Sequence, residues 1–210
     1  MNYDELVAVS KAYADRNDIE VDENIDNFIV FVEARMNRTL KTRKQSARAY
    51  IATVTDEEYY PLPIDYAGMR DIQLDSTAPT AEHEVAIFNY LQPEAMNKQR
   101  VRPYAGRNYY TIIADQLQIY PCQEANQALE IVYFQQVPNL NSENNTNWMS
   151  DNHPDMYLAG MTAEIELFVK HFDIGKLWYD RMTSQIQELD SADVKERWGG
   201  SALFTRVDNG

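Results

Sequence analysis

Few side chains outside the carboxylates can do chemistry in this chain. Three histidines, His83, His153 and His171, stand far apart, and no H-E-x-x-H or Cys/His spacing supports zinc. His153-Pro154-Asp155 offers at most two ligands and reads as a helix start, with a turn residue ahead of a proline. His83 sits between Glu82 and Glu84 and reads as a solvated turn. Cys122 follows Pro121 at a strand end with no basic neighbour in sequence to lower its pKa, so it reads as structural. A single cysteine excludes an internal disulfide and a multi-cysteine metal site. Seven glycines make neither G-x-x-x-x-G-K nor G-x-G-x-x-G, so no phosphate cradle and no cofactor is implied. With 33 Asp and Glu, any acid–base pair can be imagined, which makes each pairing uninformative. Without a catalytic motif the chain reads as a binding or structural protein rather than an enzyme.

The balance of 19 Lys and Arg against 33 Asp and Glu gives a net charge of −14 in 210 residues. Such an excess of anions repels phosphate and excludes a generic nucleic-acid binder. Against it, Arg35, Arg38, Lys41, Arg43, Lys44 and Arg48 place six of the 19 cations within fourteen positions. Some complement a helix C-terminus. The sharper expectation is an interface with an acidic face of another subunit, carried by Arg38, Arg43, Lys44 and Arg48. A thinner group is Lys98, Arg100, Arg102 and Arg107.

The elements that must position these groups follow from hydrophobic periodicity. Leu6, Val9 and Tyr13, then Ile25, Phe28, Ile29, Val32 and Met36, define amphipathic helices at about 3–16 and 24–40, joined by an acidic turn at 18–22. Asn2 and Glu5 have capping-box spacing. From Ala47 the pattern turns to period two, and strands are expected within 47–137. Pro61 and Pro63 mark an extended segment with a turn at 65–68, followed by an imperfectly alternating strand at 69–74. A strand at 84–91 and a short helix at 93–99 precede a hairpin, 109–113 with 117–120, and a strand at 129–135. The polar, Asn-rich stretch 138–151 shows no core pattern. Leu158, Met161, Ile165, Phe168 and Phe172, then Leu177 or Trp178 with Met182, Ile186 and Leu189, give helices at 154–172 and 175–190, with a break at 173–175. Helices at both chain ends around a central antiparallel sheet argue an α+β fold, one domain over 1–191, with the terminal helices in a small bundle. Residues 192–210 lose periodicity yet keep Trp198, Leu203 and Phe204, as an extended tail that docks on something would. The longest apolar run, 28–32, is far short of a membrane helix, and the start has no signal-peptide pattern, so a soluble, non-secreted protein is expected.

Several segments in succession carry a resemblance: Leu62-Pro63-Ile64-Asp65-Tyr66-Ala67-Gly68-Met69-Arg70, Tyr109-Tyr110-Thr111-Ile112 with Leu117-Gln118-Ile119-Tyr120-Pro121, Asn147-Trp148, and His153-Pro154-Asp155-Met156-Tyr157-Leu158-Ala159-Gly160. Over roughly residues 3 to 200 the chain resembles the head-to-tail adaptor (connector) proteins of tailed bacteriophages, chiefly the short-tailed ones. The resemblance implies a virion protein, assembled in the host cytoplasm, that forms a ring of twelve copies between the portal protein and the tail nozzle protein, without catalysis. It implies that the C-terminal segment reaches the portal, with Trp198, Leu203 and Phe204 as anchors beside Gly199-Gly200. The chain departs from the pattern at Ala114-Asp115, where a glycine-containing turn is expected.

Charge adds two expectations to the resemblance. DNA passing through a ring of −14 subunits should meet no continuous basic stripe, so Arg35, Arg38 and Arg43 should not line the lumen together. Such subunits must also overcome self-repulsion, which makes the cations at 35–48 candidates for pairing with a neighbour. The competing reading is a small acidic binding module, an assembly chaperone or a DNA mimic, which would align its carboxylates on one face. A hydrolase with an unrecognised carboxylate site has no motif behind it.

Overall fold

A computed structural model describes residues 1–75, 86–101 and 106–198, with the side chains of 75, 86 and 196–198 excepted. Along the chain run α1 (Tyr3–Ala14), α2 (Ile19–Asp22), α3 (Ile25–Thr39), a single 3-10 turn (Arg43–Gln45), β1 (Ser46–Ala52), β2 (Tyr59–Pro61), β3 (Tyr66–Asp75), β4 (Ala86–Tyr90), α4 (Pro93–Val101), β5 (Asn108–Ile113), β6 (Gln116–Tyr120), β7 (Ala128–Gln135), α5 (Trp148–Asn152), α6 (Pro154–Phe168) and α7 (Phe172–Trp198). They divide into two compact units, Met1–Arg43 with Val137–Gly210, and Lys44–Gln136. No helix among the described residues is long and apolar enough to cross a membrane.

The first unit is the expected terminal bundle. Leu6 of α1, Ile29, Val32 and Met36 of α3, Tyr157, Met161 and Ile165 of α6, and Met182 and Ile186 of α7 share one core. Asn2 and Glu5 close the capping box on α1, each side chain bonded to the other residue's backbone N–H. α3 and α6 approach at Gly160, where a Cβ would lie 2.7 and 2.8 Å from the two Val32 methyls.

Four sequence expectations need correction here. The acidic connection contains a helical turn, α2, whose Val21 is buried. The stretch after Gln136 belongs to the core, because Val137, Leu140 and Met149 are buried and too widely spaced to show a period. The break between the last helices falls at 169–171, not 173–175. Lys170 takes φ 69°, its N–H bonds Leu167 O at 3.0 Å, and the His171 N–H bonds Glu166 O at 2.8 Å, which is a Schellman cap. Gly175, the residue that suggested a break, lies inside α7, where a Cβ would meet Leu167 at 2.8 Å. Finally, α7 continues eight residues beyond 190, to Trp198. Its last turns look nonperiodic because the position they bury is a carboxylate, Asp193, rather than an apolar residue.

The second unit is a seven-stranded sheet in the order β1-β7-β3-β4-β5-β6-β2. Its core gathers Ile72, Phe88, Leu117, Ile119, Leu129, Ile131 and Tyr133. The sheet is not wholly antiparallel: β4 and β5 run parallel, because the chain leaves β4 through the helix α4 before it returns. The expected turn at 65–68 lies earlier, where the Tyr66 N–H bonds Pro63 O at 3.0 Å, and β3 already begins at Tyr66. Register shifts against β7 between Tyr66 and Gly68 and between Met69 and Asp71 explain the imperfect alternation, since each bulge inserts one residue. The hairpin β5–β6 is as expected, paired from Tyr109↔Tyr120 to Ile113↔Gln116. Ala114 takes the left-handed conformation, φ 55°, that a glycine normally supplies.

Candidate assembly surfaces

The clustered cations fall into distinct environments. Arg35, in the third turn of α3, lies with its guanidinium 4.3 Å from the Tyr179 ring centroid and donates to Thr183 Oγ1 at 3.2 Å. The Tyr179 hydroxyl in turn bonds Glu164, and burial together with that carboxylate raises its pKa. Arg38 is exposed, one turn further along the same helix face. Arg35, Arg38, Thr39, Thr183, Ile186, Gln187 and Asp190 line a cavity of about 370 Å³ between α3 and α7.

The next cations are held within the chain. Asp193 Oδ1 accepts from both the backbone N–H and Nε of Arg43, at 3.1 and 3.0 Å. Lys44 is exposed. Arg48, on β1, bonds the buried Glu130 of β7, which also accepts from Gln73 Nε2 at 2.9 Å. The Gln73 hydrogen bond first, and Arg48 after it, hold the Glu130 carboxyl below the usual carboxylate range. Of the four residues expected at a subunit interface, Arg43 and Arg48 are therefore built into internal pairs, while Arg38 and Lys44 face outward. In the second basic group Arg100 of α4 pairs with Glu58, and Arg102 lies outside the described residues. Trp198 closes α7, and Leu203 and Phe204 lie outside the described residues.

The histidines and the cysteine behave as local structure. His153 lies between α5 and α6 as the cap of both. His171 Nδ1 sits 2.9 Å from Glu166 Oε2 beside the Schellman turn. His83 lies outside the described residues, and Cys122 is a half-buried free thiol. Among the described residues no group of three His, Cys, Asp or Glu could hold a metal ion.

Sequence reasoning missed a buried polar chain in the helical unit. Glu33 Oε1 accepts from the Leu140 backbone N–H at 2.7 Å and from the Tyr157 hydroxyl at 2.9 Å. Tyr157 accepts from Asn147 Nδ2 at 2.8 Å, and Asn147 caps α5 reciprocally with Ser150 and donates to Pro138 O at 2.6 Å. Burial pushes the Glu33 carboxyl up to about 7, only partly offset by these two donors, and raises Tyr157 as well. The signal was present: Glu33 falls in the apolar stripe of α3 between Ile29 and Met36. The chain of bonds ties the segment after Gln136 to α3 and α6, and it reaches two of the segments that carried the resemblance, at Asn147 and Tyr157.

The polar groups so far described fasten loops and helix ends, and the outward features are a cationic cavity and exposed apolar side chains. Residues 1–205 match the family described as SU10 adaptor protein, and the chain belongs to that family. It is a bacteriophage adaptor, a structural protein of the virion, as the resemblance implied. A search of curated proteins found no match.

Proposed function

We propose that this protein is the head-to-tail adaptor of a short-tailed phage, a ring of subunits that joins the portal to the tail nozzle and performs no catalytic step. The observation that carries the reading is the family match over residues 1–205, nearly the whole chain. The charge of −14 supports a conduit that lets DNA pass without gripping it. In this reading the ring has twelve copies, and the residues after α7, with Trp198, Leu203 and Phe204, dock on the portal. Lys44 and Arg38 remain the outward cations for a neighbouring subunit, whereas Arg43 and Arg48 support the surface through Asp193 and Glu130.

Sedimentation of the purified portal with and without this protein tests the reading. The portal should move to a heavier species that contains both chains. Replacing Leu203 and Phe204 by Asp should abolish that shift while leaving the circular dichroism spectrum unchanged. A portal that sediments identically in the presence of a folded excess of this chain contradicts the proposal.

A further inference from the structure

Arg35 is a half-buried guanidinium in a chain rich in carboxylates, yet no carboxylate lies within ion-pair distance of it or of Arg38 among the described residues. It is not loose. The Tyr179 ring and Thr183 Oγ1 fix it, and a guanidinium held this way keeps its remaining donors aimed at one place. Arg38 supplies a second cation three residues on, and Thr183, Gln187 and Asp190, spaced by four and three on α7, form the opposite wall. Ile186, almost fully buried, gives the cavity an apolar floor. Two cations against the single carboxylate of Asp190 leave the lining net positive, which suits one apolar side chain next to one carboxylate, in about 370 Å³.

The same unit displays that combination elsewhere. α2 and the residues flanking it read Asp18-Ile19-Glu20-Val21-Asp22-Glu23. Ile19 is 72% exposed, a large apolar side chain on a short acidic turn. Asp18 lies 3.8 Å from Arg16 and Asp22 pairs with Lys11, but Glu20 is exposed and makes no ion pair among the described residues. α2 precedes the first turn of α3, and Arg35 and Arg38 lie near its other end, on the order of 20 Å away. One copy therefore cannot bring its own turn into its own cavity. A knob and its socket at opposite ends of one helix produce a heterologous contact, the kind that propagates around a ring rather than closing a two-fold dimer.

We infer that the cavity between α3 and α7 takes the Ile19-Glu20 turn of a second copy of this chain, with Glu20 meeting Arg35 and Arg38 and Ile19 resting toward Ile186. The inference rests on the ring proposed above and names one contact of it. Charge argues for this occupant, because contact between −14 subunits is favoured where cations of one copy meet anions of the next.

The test is charge reversal and exchange, read by mass photometry of the protein alone and bound to portal. Arg38→Glu and Glu20→Arg should each weaken association by about tenfold or more, and the double variant carrying both should recover most of it. Separately, copies with Glu20→Cys and copies with Arg38→Cys, both in a Cys122→Ser background, should cross-link on oxidation when mixed. Copies with Lys170→Cys in place of Arg38→Cys should not. If the wild-type ring forms but the reversals leave it intact, or cross-linking stays at the Lys170→Cys level, this contact is wrong and the ring stands. If the wild type never forms a multimer, with or without portal, the ring reading fails and the contact fails with it.

Discussion

Two buried glutamates, one in each unit, meet opposite fates. Glu33 in the helical unit and Glu130 in the sheet are each 3% exposed. Glu33 faces a hydroxyl and a backbone N–H, so desolvation dominates and its carboxyl is pushed up to about 7. Glu130 lies at a sheet face under a mostly exposed arginine and the Gln73 amide, and its carboxyl is held below the usual range. The lesson is that burial alone does not set the charge of a carboxylate. The helical unit uses a carboxyl that holds its proton to near neutrality to fasten a loop, and the sheet uses a carboxylate to fasten a strand pair.

The largest expected effect is the pH response of Glu33. A folded pKa of about 7 against an ordinary 4.5 means the folded chain holds a proton that the unfolded chain has lost between those values. Stability then falls as pH rises through that window, by about 3 kcal/mol in total, and is constant with respect to this group below it. The only titratable partner facing Glu33 among the described residues is Tyr157, which stays protonated across the window. Urea unfolding from pH 4.5 to 8 should show the decline, and Glu33→Gln should remove most of it. An unchanged slope in Glu33→Gln would erase the contrast between the two glutamates.

Glu130 should respond with the opposite sign, its contribution present above the ordinary carboxylate range and lost as pH falls through its lower folded value. Glu130→Ala, which strands Gln73 and Arg48, should cost about 2 kcal/mol at pH 7 by urea unfolding. Equal losses at pH 3 and pH 7 would show that the pair carries no charge effect.

Much of this was legible in the residues and some could not be. The apolar stripes gave α1, α3, α6 and the start of the α7 pattern, and the period-two runs gave β1, β5, β6 and β7. The parallel pairing of β4 with β5 was not read from alternation, which reports faces and not strand direction, although the helix expected at 93–99 between the two strands is the connection a parallel pair needs. The anchoring of Leu140 and Asn147 depends on a carboxylate more than a hundred residues away, and the continuation of α7 depends on Asp193 meeting Arg43. Both are long-range polar contacts that leave no period behind. The cluster of cations at 35–48 was plain in the residues, but only the fold separates Arg43 and Arg48, which are paired internally, from Arg35 and Arg38 at a cavity.

Close packing sharpens the comparison further. Gly160→Ala should destabilise the helical unit by about 1 to 2 kcal/mol, because its Cβ would press on both Val32 methyls. Val32→Ala in the same chain should recover part of that loss, and thermal unfolding of the two single variants and the pair would reveal it. In the sheet the reverse holds at the hairpin. Ala114→Gly should stabilise by about 0.5 to 1 kcal/mol by relieving φ 55°. A lower melting temperature for Ala114→Gly would mean that the turn is not strained.

The most direct test of the adaptor reading is negative-stain imaging of this protein mixed with the portal protein of the same phage. The account predicts a ring, or an added layer of density at one end of the portal, with contacts through the helical unit. Dispersed monomers beside bare portals, at concentrations where the chain is folded, would contradict it.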